Sequence, residues 1–337
     1  MKKFGVAAAM ALFAVSASAS NFRGADQVYI PAAGHFQGSS GVFISDVYIA
    51  NLSSDEVSVS VIYQPLGAGG GTGQEFRDAI QLKGYERKEL LDFFRNANAG
   101  VNLQGNVFGQ LIFNGCKKGV SCGPETQDPD GVSANFRNIS ATSRIYQIPN
   151  NAPANPPTTG QLFTGIPWYN FVSSLQNNEQ LDKVFITGIT QTGTAGQAGT
   201  FRTNIGLINA SQYSHTTIKV KAYQGTLTEA DKKGEYTTDL GRLGNVQLGF
   251  SQMFPNLTGA NYFVTVEQLN NGAEPDAPSG CIQGCPAFLA YGSVLDNLSG
   301  DATTLEAQYL VPLSDDALGV IYPKEGGKIA VKRSVRH

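Results

Sequence analysis

The stretch FISDVYIANLS at residues 43–53 recurs as FRTNIGLINAS at residues 201–211, and this duplication determines how the rest of the chain is interpreted. Both copies have an aromatic start, a small polar pair, alternating apolar positions and a closing asparagine. Residues two apart project from one face of a strand, so each copy predicts a half-buried β-strand. Asn51 and Asn209 then predict a turn, because asparagine tolerates turn conformations and bonds to nearby backbone.

Length and composition extend this pattern to a fold class. The chain has 337 residues, which is enough for two domains that each bury a core. Its 39 glycines, 15 prolines and 15% of charged residues are typical of many short strands and turns. We therefore predict an all-β protein of two tandem antiparallel β-sandwich domains, related by internal duplication, with short helical turns. The net charge of −3 gives no reason to expect nucleic acid as a partner.

The first 20 residues have the pattern of a signal peptide. A basic start at residues 1–3 precedes an apolar run at 4–15 and the small residues at 17–19. The apolar run is shorter than the roughly 20 residues that span a bilayer. We expect an exported bacterial protein that is extracellular, at the cell surface or periplasmic, with no transmembrane segment after signal cleavage.

The second half repeats the order of strands, loop, short helix and two further strands. This order predicts a first sandwich at residues 21–148 and a second at 183–304. A proline-rich linker and aromatic connector at 149–182 would join them, and a strand or hairpin tail would follow at 305–337.

Four local features complete this plan. We predict a first strand at residues 28–31 that ends at its proline, and a glycine- and serine-rich loop at 34–41. The glycine run at 67–73 predicts a loose hairpin tip. Apolar residues at helical spacing predict one short helix at 89–94.

The four cysteines form two local pairs, Cys116 with Cys122 and Cys281 with Cys285. An even number of cysteines in an exported protein favours disulfides. A zinc site would need both pairs together, and the spacings differ from the usual two-residue ones. Haem attachment would need a histidine directly after the second cysteine of a pair. We therefore predict two local disulfides, each pinning one connection between strands.

Acidic residues near the cysteine pairs raise the question of calcium. Those residues are Glu125, Asp128, Asp130, Glu274 and Asp276. Calcium takes several oxygen ligands from a flexible loop, but none of these segments matches a recognised calcium-loop pattern. Solvated loop tips are the favoured interpretation, so we expect no cofactor, with calcium as the alternative. The same applies to Asp296 and Asp301.

The sequence shows no convincing catalytic set. No serine lies in a nucleophile-elbow pattern, and no phosphate-binding glycine loop lies between a strand and a helix. His35 and His215 are interpreted as surface residues. Paired carboxylates for sugar hydrolysis stay open, since such partners meet only in three dimensions. We expect a protein that is not an enzyme.

The candidate interaction residues lie in the aromatic connector and in the tail. They are Trp168, Tyr169, Phe171, Tyr322, Lys332 and Arg333. The connector could serve as an aromatic binding platform for a glycan, and packing between the two domains is the favoured alternative. The apolar and basic tail could dock on a neighbouring subunit.

Several motifs together resemble a duplicated β-rich module of bacterial exported proteins. They are YIPAAG at residues 29–34, both copies of the repeated strand, SRIY at 143–146, AYGSVLDN at 290–297 and SGD at 299–301. The resemblance covers roughly residues 28–304. It implies tandem β-sandwich domains of uncharacterised surface-associated proteins, and it carries over no catalytic residues.

These observations lead to three hypotheses about function. The first is a non-catalytic exported protein with a structural, adhesive or assembly role at the cell surface, which self-associates through sheet edges or its tail or binds another surface protein. The second is a carbohydrate- or ligand-binding module that uses the aromatic connector. The third is a secreted hydrolase.

Overall fold

The computed structural model describes residues 24–38, 41–71, 73–120, 135–153, 158–168, 171–173, 183–269 and 287–309. Within these ranges, the first half contains nine strands and one 3-10 turn, at Ala97–Ala99. The strands are β1 (Gln27–Gln37), β2 (Gly41–Asn51), β3 (Val57–Pro65), β4 (Gln74–Leu82), β5 (Arg87–Leu90), β6 (Val107–Lys117), β7 (Ile139–Pro149), β8 (Thr159–Thr164) and β9 (Ile166–Pro167).

The strands of the first half form one continuous antiparallel sheet in the order β4-β3-β6-β1-β2-β7-β8. β5 pairs with β2, and β9 pairs with β1. β1 pairs with β6 along most of its length but with β2 only from His35 to Gln37. The sheet therefore folds over at β1 and gives two layers, β4-β3-β6-β1 and β5-β2-β7-β8.

The second half forms two separate sheets. Its elements are β10 (Val172–Ser173), β11 (Lys183–Gln191), β12 (Phe201–Asn209), β13 (Thr216–Tyr223), β14 (Lys232–Leu240), β15 (Asn245–Gly249), α1 (Phe250–Met253), β16 (Gly259–Gln268), β17 (Ala287–Asp296), β18 (Ala302–Glu306) and β19 (Gln308–Tyr309). One sheet has the order β14-β13-β16-β11-β19. The other has the order β10-β17-β12-β15, with β18 also paired to β17.

The two halves correspond strand for strand. Among the described residues, β11–β19 repeat the pairings of β1–β9, including those of the short β9 and β19 with β1 and β11, except that the pairing of β1 with β2 has no counterpart between β11 and β12. Even an irregularity repeats, because β1 shifts register between Ile30 and Ala33 and β11 shifts between Ile186 and Ile189. The prediction of an all-β chain with duplicated antiparallel β-sandwiches is confirmed.

Each half buries apolar side chains between its layers. Phe93, Phe113 and Tyr29 are fully buried in the first half, and Phe250 and Phe288 are fully buried in the second. Burying one such side chain contributes about 1.5–3 kcal/mol. The first core also includes residues of the second half, so the two cores adjoin.

The predicted end of the first strand was wrong. β1 continues through Pro31 to Gln37, and the loop predicted at residues 34–41 is shorter than expected. Pro31 lies in the register shift between Ile30 and Ala33, where a residue that lacks an N–H does not interrupt the ladder. A proline in a strand can mark a bulge as well as an end.

The predicted helix at residues 89–94 was also wrong. Leu90 ends strand β5 and pairs with Val47, and turns follow over residues 91–95. Asp92 has a φ of 46°, which is incompatible with a right-handed helix. The buried Phe93 donates its backbone N–H to Ser45 O (2.8 Å). Apolar residues at helical spacing therefore belong here to a strand end and a tight turn.

Part of the segment predicted as a linker, residues 149–182, carries strands of the first half. β8 pairs with β7 from Thr142↔Thr164 to Gln147↔Thr159, and β9 pairs with β1. β10 then pairs with the start of β17 in the second half. The equivalent place in the first half is taken by Ala25, which bridges to Ile139. The tail predicted at residues 305–337 is described only to residue 309, where it contains the end of β18 and the short β19, and residues 310–337 lie outside the described residues.

Candidate functional site

In the part of the predicted aromatic connector that the structure describes, the aromatic side chains pack against the first core. Trp168 is partly buried against the first core, and its indole Nε1 donates to Asp26 Oδ1 (2.8 Å). Phe171 is 8% exposed and meets Tyr29 edge to face, with ring centroids 4.5 Å apart. Both rings therefore pack inward, which favours the packing interpretation.

The remaining predicted interaction residues, Tyr169, Tyr322, Lys332 and Arg333, lie outside the described part of the chain. Glycan binding by the connector and docking by the tail stay predictions.

Of the four cysteines, only Cys116 lies among the described residues. It is buried near the end of β6, where it forms an isolated β-bridge with Phe136. Cys122, Cys281 and Cys285 lie outside the described residues. The two local disulfides therefore stay a prediction.

Only some of the acidic residues considered for calcium lie among the described residues. The inserts that carry Glu125 and Glu274 lie outside the described residues. Asp296 Oδ1 accepts hydrogen bonds from the backbone N–H groups of Ser299 (2.7 Å) and Leu298 (2.9 Å), and these bonds lower the pKa of its carboxyl. Within the described ranges, no group of three or more histidine, cysteine or acidic side chains could hold a metal ion.

The junction between the halves is built first by strand β8 and its neighbours. The ring of Phe163 lies 5.2 Å from that of Tyr291, edge to face. Thr304 Oγ1 donates to Leu162 O (2.9 Å), and Ser293 Oγ donates to Gln161 Oε1 (2.9 Å). The start of the predicted connector therefore contacts the second half.

The glycine run after β3 joins β3 to β4 as the predicted hairpin tip, but it is not loose, because it contributes a second contact with the second half. Gly67 and Asn245 exchange two backbone hydrogen bonds of 2.7 and 3.0 Å. Gly241 N–H donates to Ala68 O (2.7 Å), and Gly71 N–H donates to Arg242 O (3.0 Å). Glycines permit this close approach of two backbones.

Side-chain amides complete the junction. Gln110 Nε2 donates to Leu243 O (3.0 Å), and Asn245 Nδ2 donates to Pro65 O (2.9 Å). The amide oxygens of Gln64, Gln110 and Asn245 are buried there with no hydrogen-bond partner among the described residues. Enclosed water commonly satisfies such atoms. The junction is thus packed and polar, and its centre at Gln64, Gln110 and Asn245 is buried.

A cluster of titratable side chains lies where β1, β2 and β7 meet. Asp46 is only 3% exposed, and its Oδ1 accepts hydrogen bonds from the Asp92 backbone N–H (2.9 Å) and the Tyr146 hydroxyl (3.3 Å). The Asp92 side chain in turn lies 2.7 Å from His35 Nδ1. The Arg144 guanidinium lies over the Tyr146 ring, 4.7 Å from its centroid.

Burial controls the electrostatics of this cluster. Loss of water raises the pKa of the Asp46 carboxyl, and the hydrogen bonds from Asp92 and Tyr146 and the charge of Arg144 offset only part of that rise. Burial, with the charge of Asp46, raises the pKa of Tyr146 to about 12. Tyr146 therefore stays a neutral hydrogen-bond donor at physiological pH.

The second half shows that the fold does not require these charges. The positions equivalent to His35, Asp46, Asp92, Arg144 and Tyr146, aligned by strand pairing and by the shared register shift of β1 and β11, are Gln191, Asn204, Phe250, Ser293 and Leu295. None of these five side chains ionises at neutral pH. The same strands thus close without a charged cluster, which is a specific addition to the first half.

The sequence interpretation treated His35 as a surface residue and missed Asp92 and Tyr146. The partners come from β1, β7 and the turn after β5, and no spacing along the chain links them. The one available signal was the difference between Asp46 and Asn204 within the repeated strand.

Replacing Asp46 with asparagine, as in the second half, is expected to raise the free energy of unfolding at neutral pH. The variant avoids a buried charge, and its amide oxygen can still accept both hydrogen bonds. A raised pKa means that the folded state binds the proton more tightly than the unfolded state. The wild type should therefore lose stability relative to the variant as pH rises from the ordinary carboxyl value of about 3.9 through the raised one.

Urea denaturation of both proteins across this pH range measures the effect. The difference should be largest at neutral pH and shrink toward acid pH. A variant that is less stable at neutral pH would contradict this account of Asp46.

Comparisons with known proteins add little to this geometry. No protein-family model matches the chain, and no curated protein matches it. One solved structure, titled "Biofilm associated protein - B domain", shares 12% identity, with 91% of this chain and 89% of that chain covered and a TM-score of 0.20. So low a TM-score carries no argument about fold or function. Among the described residues, no helix has the length and apolarity to cross a membrane.

Proposed function

We propose that this chain is a non-catalytic exported protein with a structural, adhesive or assembly role at the bacterial cell surface. The packed junction between its halves is the observation that supports this most. Proteins of two domains often bind ligands in the crevice between them. Here that position holds the backbone bonds between Gly67 and Asn245 and the packed rings of Phe163 and Tyr291. The two halves thus act as one stiff unit.

The charged cluster fits the same proposal. A general acid or base must reach the proton that it transfers. Asp46 is nearly inaccessible to solvent, and its Oδ1 already accepts hydrogen bonds from the Asp92 backbone N–H and the Tyr146 hydroxyl. The cluster therefore serves to fix the turn after β5 against β2 and β7.

The test is the native size of the mature chain. We expect light scattering over a range of protein concentrations, together with electron microscopy, to show assembly beyond the monomer. A chain that stays monomeric at every concentration and binds no surface component would contradict the proposal. Deleting residues 310–337 then distinguishes the two contact surfaces that the sequence suggests. A folded monomer would assign assembly to the tail, and unchanged assembly would assign it to a sheet edge.

A further inference from the structure

The two halves treat one sheet edge differently. β4 and β14 are equivalent strands, and each forms the outer edge of its sheet. β4 is irregular, because its pairing with β3 shifts register between Val59 and Val61. At this bulge Asp78 has a φ of 51°, its N–H donates to Ser60 Oγ (3.2 Å), and its carboxylate accepts a hydrogen bond from Ser58. A bulge that carries a charged residue in the middle of an edge strand blocks the addition of another strand.

The edge at β14 is regular over most of its length. β14 pairs with β13 without a shift from Thr216↔Leu240 to Ala222↔Gly234, and its sequence KKGEYTTDL contains no proline. Its register shift lies at its first end, where Lys233 falls between the pairs Ala222↔Gly234 and Tyr223↔Lys232. Among the described strands, none pairs with its other side. A regular strand of this kind presents a row of backbone donors and acceptors to an incoming strand.

The sequence of β14 is complementary to itself. We propose that β14 of a second copy of this chain pairs with it antiparallel, across a two-fold axis at Tyr236. In that register Lys233 faces the partner's Asp239, and the same ion pair forms again on the other side of the axis. Tyr236 faces the partner's Tyr236. This inference rests on the proposed function and names the surface through which the protein self-associates.

Charge selects this register over its neighbours. Paired side chains stay on the same face of the sheet only if the register shifts in steps of two residues, and such a step moves the two-fold axis by one residue. An axis at Glu235 would place Glu235 opposite the partner's Glu235. An axis at Thr237 would place Glu235 opposite the partner's Asp239. Like charges directly opposite each other are destabilising in a sheet, whereas opposite charges stabilise it.

The side chains involved are available on the surface. Lys233 and Asp239 are exposed and lie on the same face of β14, as the alternating burial of the strand shows. Thr217 Oγ1 donates to Asp239 Oδ1 (2.6 Å) and orients its carboxylate. Glu235 is engaged by Lys232 Nζ (2.8 Å). Because β4 is blocked, pairing through β14 gives a closed dimer and not an open fibre.

A charge exchange tests the register. Lys233→Asp and Asp239→Lys should each weaken dimerisation about tenfold, since each replaces two attractive pairs with two repulsive ones. The double variant, Lys233→Asp with Asp239→Lys, should restore the dimer. Arg77→Asp on the equivalent edge strand β4 is the matched control and should leave dimerisation unchanged. Sedimentation of the mature chain gives the dissociation constants, and circular dichroism verifies folding.

A cross-link provides a second, independent readout. Opposed residues of antiparallel strands have Cα atoms about 4.5–5.5 Å apart, within disulfide range. Tyr236→Cys should therefore form an intermolecular disulfide at the axis. Thr238→Cys, which lies opposite the partner's Gly234, should not.

The outcomes separate this inference from the proposed function. A dimer that persists in both single variants and does not cross-link at position 236 overturns the β14 interface but leaves self-association intact. A dimer that is lost on deleting residues 310–337 overturns it as well and assigns the contact to the tail. A wild-type chain that is monomeric at every concentration overturns the β14 interface, and it overturns the proposed function as well only if it also binds no surface component.

Discussion

Replacing Gly241 with alanine should separate the two halves while leaving each of them folded. A Cβ atom at this position would lie 2.1 Å from the carbonyl oxygen of Gly69, far inside van der Waals contact. The backbone can relieve that clash only by moving away, which breaks the bond from Gly241 N–H to Ala68 O. We expect a loss of about 2–3 kcal/mol. Calorimetry should show that the single unfolding transition becomes two.

Gly69→Ala is the matched control for this experiment. It lies on the opposite side of the same contact, yet a Cβ atom there would meet nothing within 4 Å. Its stability and its single transition should match those of the wild type. Equal losses in the two variants would mean that glycine flexibility, and not close approach at Gly241, explains the effect.

Replacing Asn209 with alanine should destabilise the second half by about 3 kcal/mol. Asn209 is fully buried, and its Nδ2 donates to the carbonyl oxygens of Ser214 (2.8 Å), Leu240 (3.2 Å) and Gly241 (2.9 Å). Without the amide each of these carbonyls loses a buried hydrogen-bond donor, and that loss is the main cost. Urea denaturation measures the change in the free energy of unfolding.

Two further variants test whether the effect belongs to the repeated position. Asn51 has the same role in the first half, where its Nδ2 donates to Asp55 O (2.6 Å) and Lys83 O (2.9 Å). Asn51→Ala should therefore also be strongly destabilising. Asn102→Ala, at an exposed asparagine, should change stability by less than about 0.5 kcal/mol. A small loss at both Asn51 and Asn209 would contradict the account.

These asparagines illustrate what the sequence could predict. Their position at a strand end indicated a turn, and each does accept a local bond, from Ser53 N–H and Ser211 N–H. The sequence did not reveal that the same amides hold a second loop, at Lys83 and at Gly241. A local hydrogen bond can be predicted from the neighbouring residues in the sequence, whereas a partner about 30 residues away cannot.

The errors at β5 and at the glycine run have related causes. The helix was predicted from Leu90, Leu91 and Phe94, and of these Leu90 and Phe94 are buried whereas Leu91 is 55% exposed, so apolar spacing identified only part of the core. It could not distinguish a helix from a strand end and a turn, because the decisive φ of Asp92 is a tertiary effect. The glycine run at residues 67–73 has the composition of a free loop, and only the second half of the fold supplies its partners.

The charged cluster was out of reach for a different reason. His35, Asp46, Asp92 and Tyr146 come from four separate elements, and each residue type is ordinary at its own position. The duplication is what makes the cluster conspicuous, since the second half provides a version of the same strands without it. Such a comparison requires the register of the strands, which sequence alone gave only for the repeated stretch.

The distant pairing of the strands also has a consequence for folding kinetics. Gln27 of β1 pairs with Asn114 of β6, and Phe201 of β12 pairs with Asp296 of β17. Closing loops of this size precedes the contacts that stabilise them, so folding of such sheets takes roughly milliseconds to seconds. The repeated strand β2 pairs with β7, and its counterpart β12 pairs with β17. Because β7 and β17 are the last long strands of their halves, each repeated strand is paired on both sides only late in folding. Neither sandwich can close before nearly all of its half is available, and the chain remains open during that delay.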